Sequence, residues 1–220
     1  MNFKYDENLV VLYKNVEIGE GTIIEPFSIL GIQDRFHPEA KLIVGKNAFI
    51  GSRCTIYSGV TIGNNFDLSD QSTVFTNNII GDRVRIGPKA VIKNDCVIGN
   101  DVRLNAQVFL ERVTLENNIF VGPHTVFSDD YHPPCPKAKE CVPKTYVESF
   151  VSIGANVFLA PGIRIGHHTQ IYGGAVVLKD IPPNSVVAGN PARVIKKFSE
   201  LECQSKLYNK PFEWWDKKES

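Results

Sequence analysis

The run Ile62-Gly63-Asn64-Asn65-Phe66-Asp67-Leu68-Ser69-Asp70-Gln71-Ser72-Thr73-Val74-Phe75-Thr76-Asn77-Asn78-Ile79-Ile80-Gly81-Asp82-Arg83-Val84-Arg85-Ile86 carries an aliphatic residue at every sixth position. Outward from it the interval holds unbroken, back through Ile56 and Ile50 to Val44 and forward through Ile92, Ile98 and Leu104 to Leu110. An α-helix repeats its apolar face about every 3.6 residues and an open strand about every 2, so neither produces this spacing. A short repeat of fixed length marks a solenoid, in which each hexad makes one side of a coil and turns its aliphatic residue into a shared core.

Within the hexads, Gly, Asn or Asp recurs right after the aliphatic residue, as in Ile18-Gly19-Glu20-Gly21-Thr22-Ile23, Ile80-Gly81-Asp82-Arg83, Ile86-Gly87-Pro88-Lys89 and Ile98-Gly99-Asn100-Asp101. These residues tolerate left-handed backbone, so each hexad reads as a strand followed by a tight corner. Small side chains four places after the aliphatic residue, namely Ser72, Ala90, Cys96 and Val102, suit a narrow interior. Three hexads then close one coil, and coils stack at about 4.8 Å as hydrogen-bonded parallel strands.

The period breaks at informative places. Gly31-Ile32-Gln33-Asp34-Arg35-Phe36-His37-Pro38-Glu39-Ala40 is an early insertion, and the stretch around Arg35 and His37 is a candidate part of a ligand pocket. One residue is missing between Leu110 and Leu115, after which the phase runs Leu115, Val121, Phe127. A longer excursion occupies about 128–146, and the period resumes at Ile153, Leu159, Ile165, Ile171 and Val177. Insertions in a repeat array are external loops that often line the binding face.

Bulk composition narrows the function. Lys plus Arg and Asp plus Glu number 24 each, a balance that argues against non-specific nucleic-acid binding, which needs a basic excess. Lys4, Asp6 and Glu7 interrupt the region where a signal peptide needs an apolar core, and no segment approaches about 18 uninterrupted apolar residues, so the expectation is a soluble cytoplasmic protein with no membrane partner. Five cysteines, with Cys54 and Cys96 at inward repeat positions, fit reduced thiols better than a disulfide framework. We read a domain over 1–195 and a charged tail over 196–220, in which Phe198, Leu201, Leu207 and Tyr208 are spaced as on a helix face and Pro211 is a break before Trp214 and Trp215. A tail of this kind caps the open end of a solenoid.

From about Val16 to Val194 the pattern resembles the hexapeptide-repeat acyltransferases, closest to the sugar O-acetyltransferases and nucleotide-amino-sugar N-acetyltransferases. The resemblance implies an all-β fold, a left-handed three-sided parallel β-helix. The hand comes from the resemblance alone, because the usual crossover rule favours the right. In the sugar O-acetyltransferases a His-Pro pair on the excursion loop supplies a base, and His132-Pro133 matches it, with Gly122-Pro123-His124 similar to the approach to the loop. An imidazole titrating near neutrality suits removal of a proton from an acceptor hydroxyl or amine.

The N-acetyltransferase cousins carry Val-Phe-Thr-Asn-x-Tyr-Asn-Pro, against Val126-Phe127-Ser128-Asp129-Asp130-Tyr131-His132-Pro133 here. His132 replaces their asparagine, and their earlier asparagine pair appears as Ala106-Gln107 beside Asn105, which moves weight toward a histidine-assisted mechanism. The expected catalytic residues are His132 and Asp130, and the expected substrate contacts are Asn105, His124, Asp129 and Tyr131. For acetyl-coenzyme A as cosubstrate, the resemblance supports Gly173, Lys179 and Arg193, within Gly173-Gly174-Ala175 and the Gly189-Asn190-Pro191-Ala192-Arg193 ending. It also implies a homotrimer with sites between subunits, acting on a sugar or nucleotide-linked sugar.

Two other readings share the fold. Zinc at His132, Cys135 and Cys141 is chemically sensible, but a Cys-x5-Cys spacing is not a strong paired-cysteine pattern, and no metal is assigned. A γ-type carbonic anhydrase needs three converging histidines, and His124, His132 and His167 lack that spacing; a non-catalytic scaffold is the remaining alternative.

Overall fold

The computed structural model describes residues 4–35 and 37–216. The chain winds into a left-handed parallel β-helix of about ten turns. Its first face is a nine-stranded sheet from Val11–Leu12 to Val176–Val177, its second has eight strands from Val16–Ile18 to Arg164–Ile165, and its third has ten and ends on Arg193–Lys197. Register follows the sequence period: Thr73 pairs with Val91 and Ile79 with Val97. The missing residue is real, because Ile98 faces Leu115 and the corner below bonds across 17 residues.

All twelve six-spaced aliphatic residues from Val44 to Leu110 are buried, as are Leu115, Val121, Phe127, Ile153, Leu159, Ile165, Ile171 and Val177. Burying each such side chain stabilises by about 1.5–3 kcal/mol before chain entropy is counted. Ser72, Ala90, Cys96 and Val102 are buried at the inner corners. Burial pushes the thiols of Cys54 and Cys96 up to about 11, so both are inert packing groups.

The corners correct one expectation. Left-handed backbone falls on the third residue after the aliphatic position, as at Asn47, Arg53, Asn65, Arg83, Lys89 and Asp101, and not on the glycine directly after it. That glycine answers a different need. A Cβ on Gly45 would stand 2.5 Å from the carbonyl carbon and oxygen of Gly63 in the next coil, so the coils touch backbone to backbone there.

Between the second and third faces this contact is reinforced by side chains. Asn64 Oδ1 accepts from the Lys46 amide, Asp82 Oδ1 from Asn64, Asn100 Oδ1 from Asp82, and Asn117 Oδ1 from Asn100. The Asn or Asp two places after the aliphatic residue is thus a rung in a ladder that runs up one edge.

Both excursions leave the opposite edge, between the first and second faces. The first joins Ile29–Ile32 to Leu42–Val44, and the second joins Val126–Phe127 to Thr145–Val147, so it closes at Lys144 and not at Tyr146. The tail also differs from a single amphipathic helix. It is an antiparallel strand Arg193–Lys197, a 3-10 turn Phe198–Glu200 and a four-residue helix Glu213–Asp216. Leu201 and Trp215 are buried, whereas Leu207 and Tyr208 are exposed, because an aromatic cluster of Phe150, His168, Phe198, Phe212 and Trp215 holds the tail in place of helix packing. Among the described residues no helix is long and apolar enough to cross a membrane.

Candidate functional site

The second excursion is built outward from its anchors. Arg112, almost fully buried, donates from its guanidinium to the Val142 carbonyl at 3.0 Å, and the Lys144 ammonium donates to the Asp95 carbonyl at 2.9 Å. Val142 is buried. A Cβ on Gly162 would meet Pro143 at 3.0 Å, so the coil above also presses on the returning strand. A loop pinned at its root can hold an exposed side chain at a constant position on the surface.

Its outer half is organised by Asp130. One carboxylate oxygen accepts from the His132 amide at 2.9 Å and the other from the Cys135 amide at 2.8 Å, and those two bonds hold the carboxyl below the usual range. Asp130 therefore shapes the backbone under His132, with its oxygens directed at amides. The His132 ring is exposed, its centroid 6.4 Å from that of Tyr131, itself 52% exposed. Asp129 is half-buried beside them.

The remaining expected residues divide between two edges. His124 is exposed and takes a left-handed corner conformation between the third and first faces, at the far end of the strand that feeds the excursion. Asn105 occupies the same edge one coil below and donates to the Val121 carbonyl at 3.3 Å. Gly173 is exposed on that edge too, where an added Cβ would meet the Ala155 carbonyl oxygen at 3.1 Å.

Lys179 lies instead on the edge of the excursion, two coils above it, about 10 Å along the rod. It shares a cavity of about 420 Å³ with Asp180, Pro191 and Arg193. The chain thus unites Asp129, Asp130, Tyr131 and His132 on one loop and Lys179 with Arg193 in one cavity. It leaves Asn105, His124 and Gly173 around the corner.

The Cys141 thiol donates to the Lys137 carbonyl at 3.2 Å and touches the Cys135 thiol. Among the described residues no three His, Cys, Asp or Glu side chains gather as a metal cage. His124, His132 and His167 sit at three different corners of the chain, with His167 beside the stacked His168 and Phe150 rings.

Several groups were missed by the sequence reading. Arg112 and Lys144, which fix the excursion, carry no motif; only the residue missing before Val113 marks the place. The pair Tyr57 and Phe75 stacks with ring centroids 4.9 Å apart, and Lys93 lies 4.5 Å over the Phe75 ring. Their common phase in the repeat was the signal.

Residues 32–131 match the family described as the GMPPB C-terminal domain. The chain is 34% identical over 100 residues to the galactoside O-acetyltransferase of Lactococcus lactis subsp. lactis (strain IL1403), covering 41% of this chain and 48% of that protein. It is 36% identical over 93 residues to the 2,3,4,5-tetrahydropyridine-2,6-dicarboxylate N-acetyltransferase of Staphylococcus aureus (strain bovine RF122 / ET3-1), covering 42% of this chain and 36% of that one. The chain spans about half or less of the length of these curated relatives. Among solved structures, a UDP-N-acetylglucosamine acyltransferase from Bacteroides fragilis 9343 is similar with a TM-score of 0.63 at 20% identity, over 89% of this chain and 75% of that one, a likeness of fold. These relatives are acetyltransferases of the hexapeptide-repeat type, the group the repeat resembles.

Proposed function

We propose, from this kinship with hexapeptide-repeat acetyltransferases, that the protein moves an acetyl-type group from coenzyme A to a hydroxyl or amine of a sugar or nucleotide-linked sugar. The observation that carries the reading is the placement of a pinned, exposed imidazole two coils from a cavity lined by Lys179 and Arg193. The two cations suit the phosphates of an acyl-coenzyme A, and the exposed backbone at Gly173, bare of a side chain, suits the close approach of an extended arm. When bound, that cosubstrate supplies the activated thioester.

The residues then have distinct tasks. His132, as neutral imidazole, takes the proton from the acceptor as its oxygen or nitrogen forms the new bond to the acyl carbon. The bond to sulfur breaks, and the imidazolium returns the proton to the departing thiolate, so charge and protons balance. A backbone amide of the prism stabilises the transient oxyanion. Asp130 keeps the turn under His132 in shape through its two amide bonds, while Asp129 and Tyr131 meet the acceptor.

Asn105, His124 and Gly173 join this site from a second copy of the chain. They occupy another edge of the rod, so a homotrimer in which edges meet would unite both sets. The setting is the cytoplasm, where the five free thiols stay reduced.

The test is release of thiol from acetyl-coenzyme A with a panel of free and nucleotide-linked sugars. His132→Ala is expected to lower the rate by about 10²–10⁴-fold while stabilisation by coenzyme persists in thermal melts. An undiminished rate removes His132 from the reaction.

A further inference from the structure

The first excursion roofs a cleft that the acyl-transfer reading does not use. One lobe, a cavity of about 480 Å³, is lined by Asp34, His37, Thr76, Asn77, Asn94 and Asp95, among others. A second lobe of about 430 Å³ is walled by Tyr57 and Phe75 and floored by Thr76 and Asn94, with Arg35 at its side. Asp34, Thr76 and Asn94 line both, so the lobes form one cleft with an aromatic and a polar half. Each half falls within the size range of small-molecule sites.

Two observations indicate what such a cleft takes. The first is Asn94 Oδ1, a buried carbonyl oxygen that accepts no hydrogen bond from any described residue. A buried acceptor left unmatched costs about 1–3 kcal/mol, which a donor on a ligand recovers. The second is the wall. Phe75 is clamped between the Tyr57 ring and the Lys93 ammonium, so its two faces are covered and the wall it makes with Tyr57 presents rigid, apolar ring edges to the cleft. The polar half is rich in acceptors, from Asp34, Asp95 and Asn94, and a diphosphate there would face two carboxylates. Hydroxyl donors on one side of a ring with an apolar C–H face on the other satisfy both halves.

We infer that the cleft binds a neutral saccharide ring. Its stacked wall lies about 15 Å below the strand that feeds the second excursion, three coil steps away, so it is a separate subsite from His132. Lys144 links the two, since it ends the second excursion and donates to Asp95 in the floor of the first. The inference does not depend on acyl transfer.

The experiment is saturation-transfer NMR and titration calorimetry on the full chain with methyl galactoside, methyl glucoside, lactose and maltose, beside UDP-N-acetylglucosamine and spermidine. At least one neutral sugar is expected to bind, with affinity reduced roughly tenfold by Asn94→Leu and likewise by Tyr57→Ala, while His132→Ala binds as wild type. If Asn94→Leu does not fold, Thr76→Val serves as the second probe of the shared floor. Absence of sugar binding, unchanged affinity in folded Asn94 and Tyr57 variants, or binding of only the nucleotide or the polyamine overturns the inference. A silent turnover assay beside intact sugar binding would defeat the acyl-transfer reading alone.

Discussion

Two edges of one rod, wound from the same six-residue period, have taken opposite tasks. The edge between the second and third faces contains Gly45, Gly63, Gly81 and Gly99 in backbone contact with the next coil, and the Asn64, Asp82, Asn100 and Asn117 ladder. It admits no insertion between Ile18 and Arg164. Among the described residues the edge between the first and second faces has separate bonds, such as Asn77 to Asp95 and Lys144 to the Asp95 carbonyl, in place of a continuous ladder, and it carries both excursions, the sugar-sized cleft, the exposed imidazole and Lys179. An edge bonded at every coil cannot open without losing a bond on either side, whereas an edge bonded only at some coils can open between them. The division of labour follows from where the bonds are.

That contrast sets the expected order of effects. Gly45→Val forces a side chain into the Gly63 peptide, which cannot retreat, and should cost about 3 kcal/mol or more in urea unfolding; lengthening the first excursion by two glycines near Arg35 should cost under about 1 kcal/mol. Equal losses would mean that the edges are not different in kind. Next, Lys179→Ala combined with Arg193→Ala should weaken coenzyme binding by tenfold or more in calorimetry without lowering Tm, because both side chains are exposed. Asp82→Ala removes one rung, the bond to the Asn64 amide, for about 1 kcal/mol.

The smallest effect is on pH dependence. Burial pushes the Glu116 carboxyl up, but bonds from the Tyr146 hydroxyl and from Ser149 outweigh it and hold the group below its ordinary range. Because the folded value lies below the unfolded one, this stabilisation is present above the unfolded carboxylate range and is lost as pH falls through the folded value. Glu116→Gln should therefore lower Tm at pH 7, with the difference shrinking as pH falls toward 3, so that the acid limb of the stability curve is flattened.

What the sequence disclosed divides along the same edges. A period repeats a physical demand, so the inward Ile and Leu positions, the small inner corners and the missing residue before Leu115 could be read directly. The role of Gly45 could not, because its neighbour Gly63 is three sides away along the chain and only the winding brings them together. Loop chemistry was legible as identity and not as geometry. His132 was singled out by its Pro133 neighbour, yet the bonds that fix its loop come from Arg112 and from Asp130 acting on amides. The cleft was half visible: Asp34, Arg35 and His37 drew notice as an insertion, whereas Tyr57, Phe75 and Asn94 looked like ordinary repeat residues. The tail misled because aromatic spacing was read as a helix face, when tertiary stacking on His168 and Phe150 governs it.

The last strand has a consequence for the whole particle. Every parallel coil ends in an open row of amides and carbonyls that could seed another, and a rod with such an end is a template for fibre growth. Here Ile181 closes the second face on Arg164, Gly189 and Ala192 close the first on Val176, and Arg193–Lys197 runs backwards along the third. A strand of reversed polarity does not continue the parallel ladder that a further coil would extend, so the winding is capped from within.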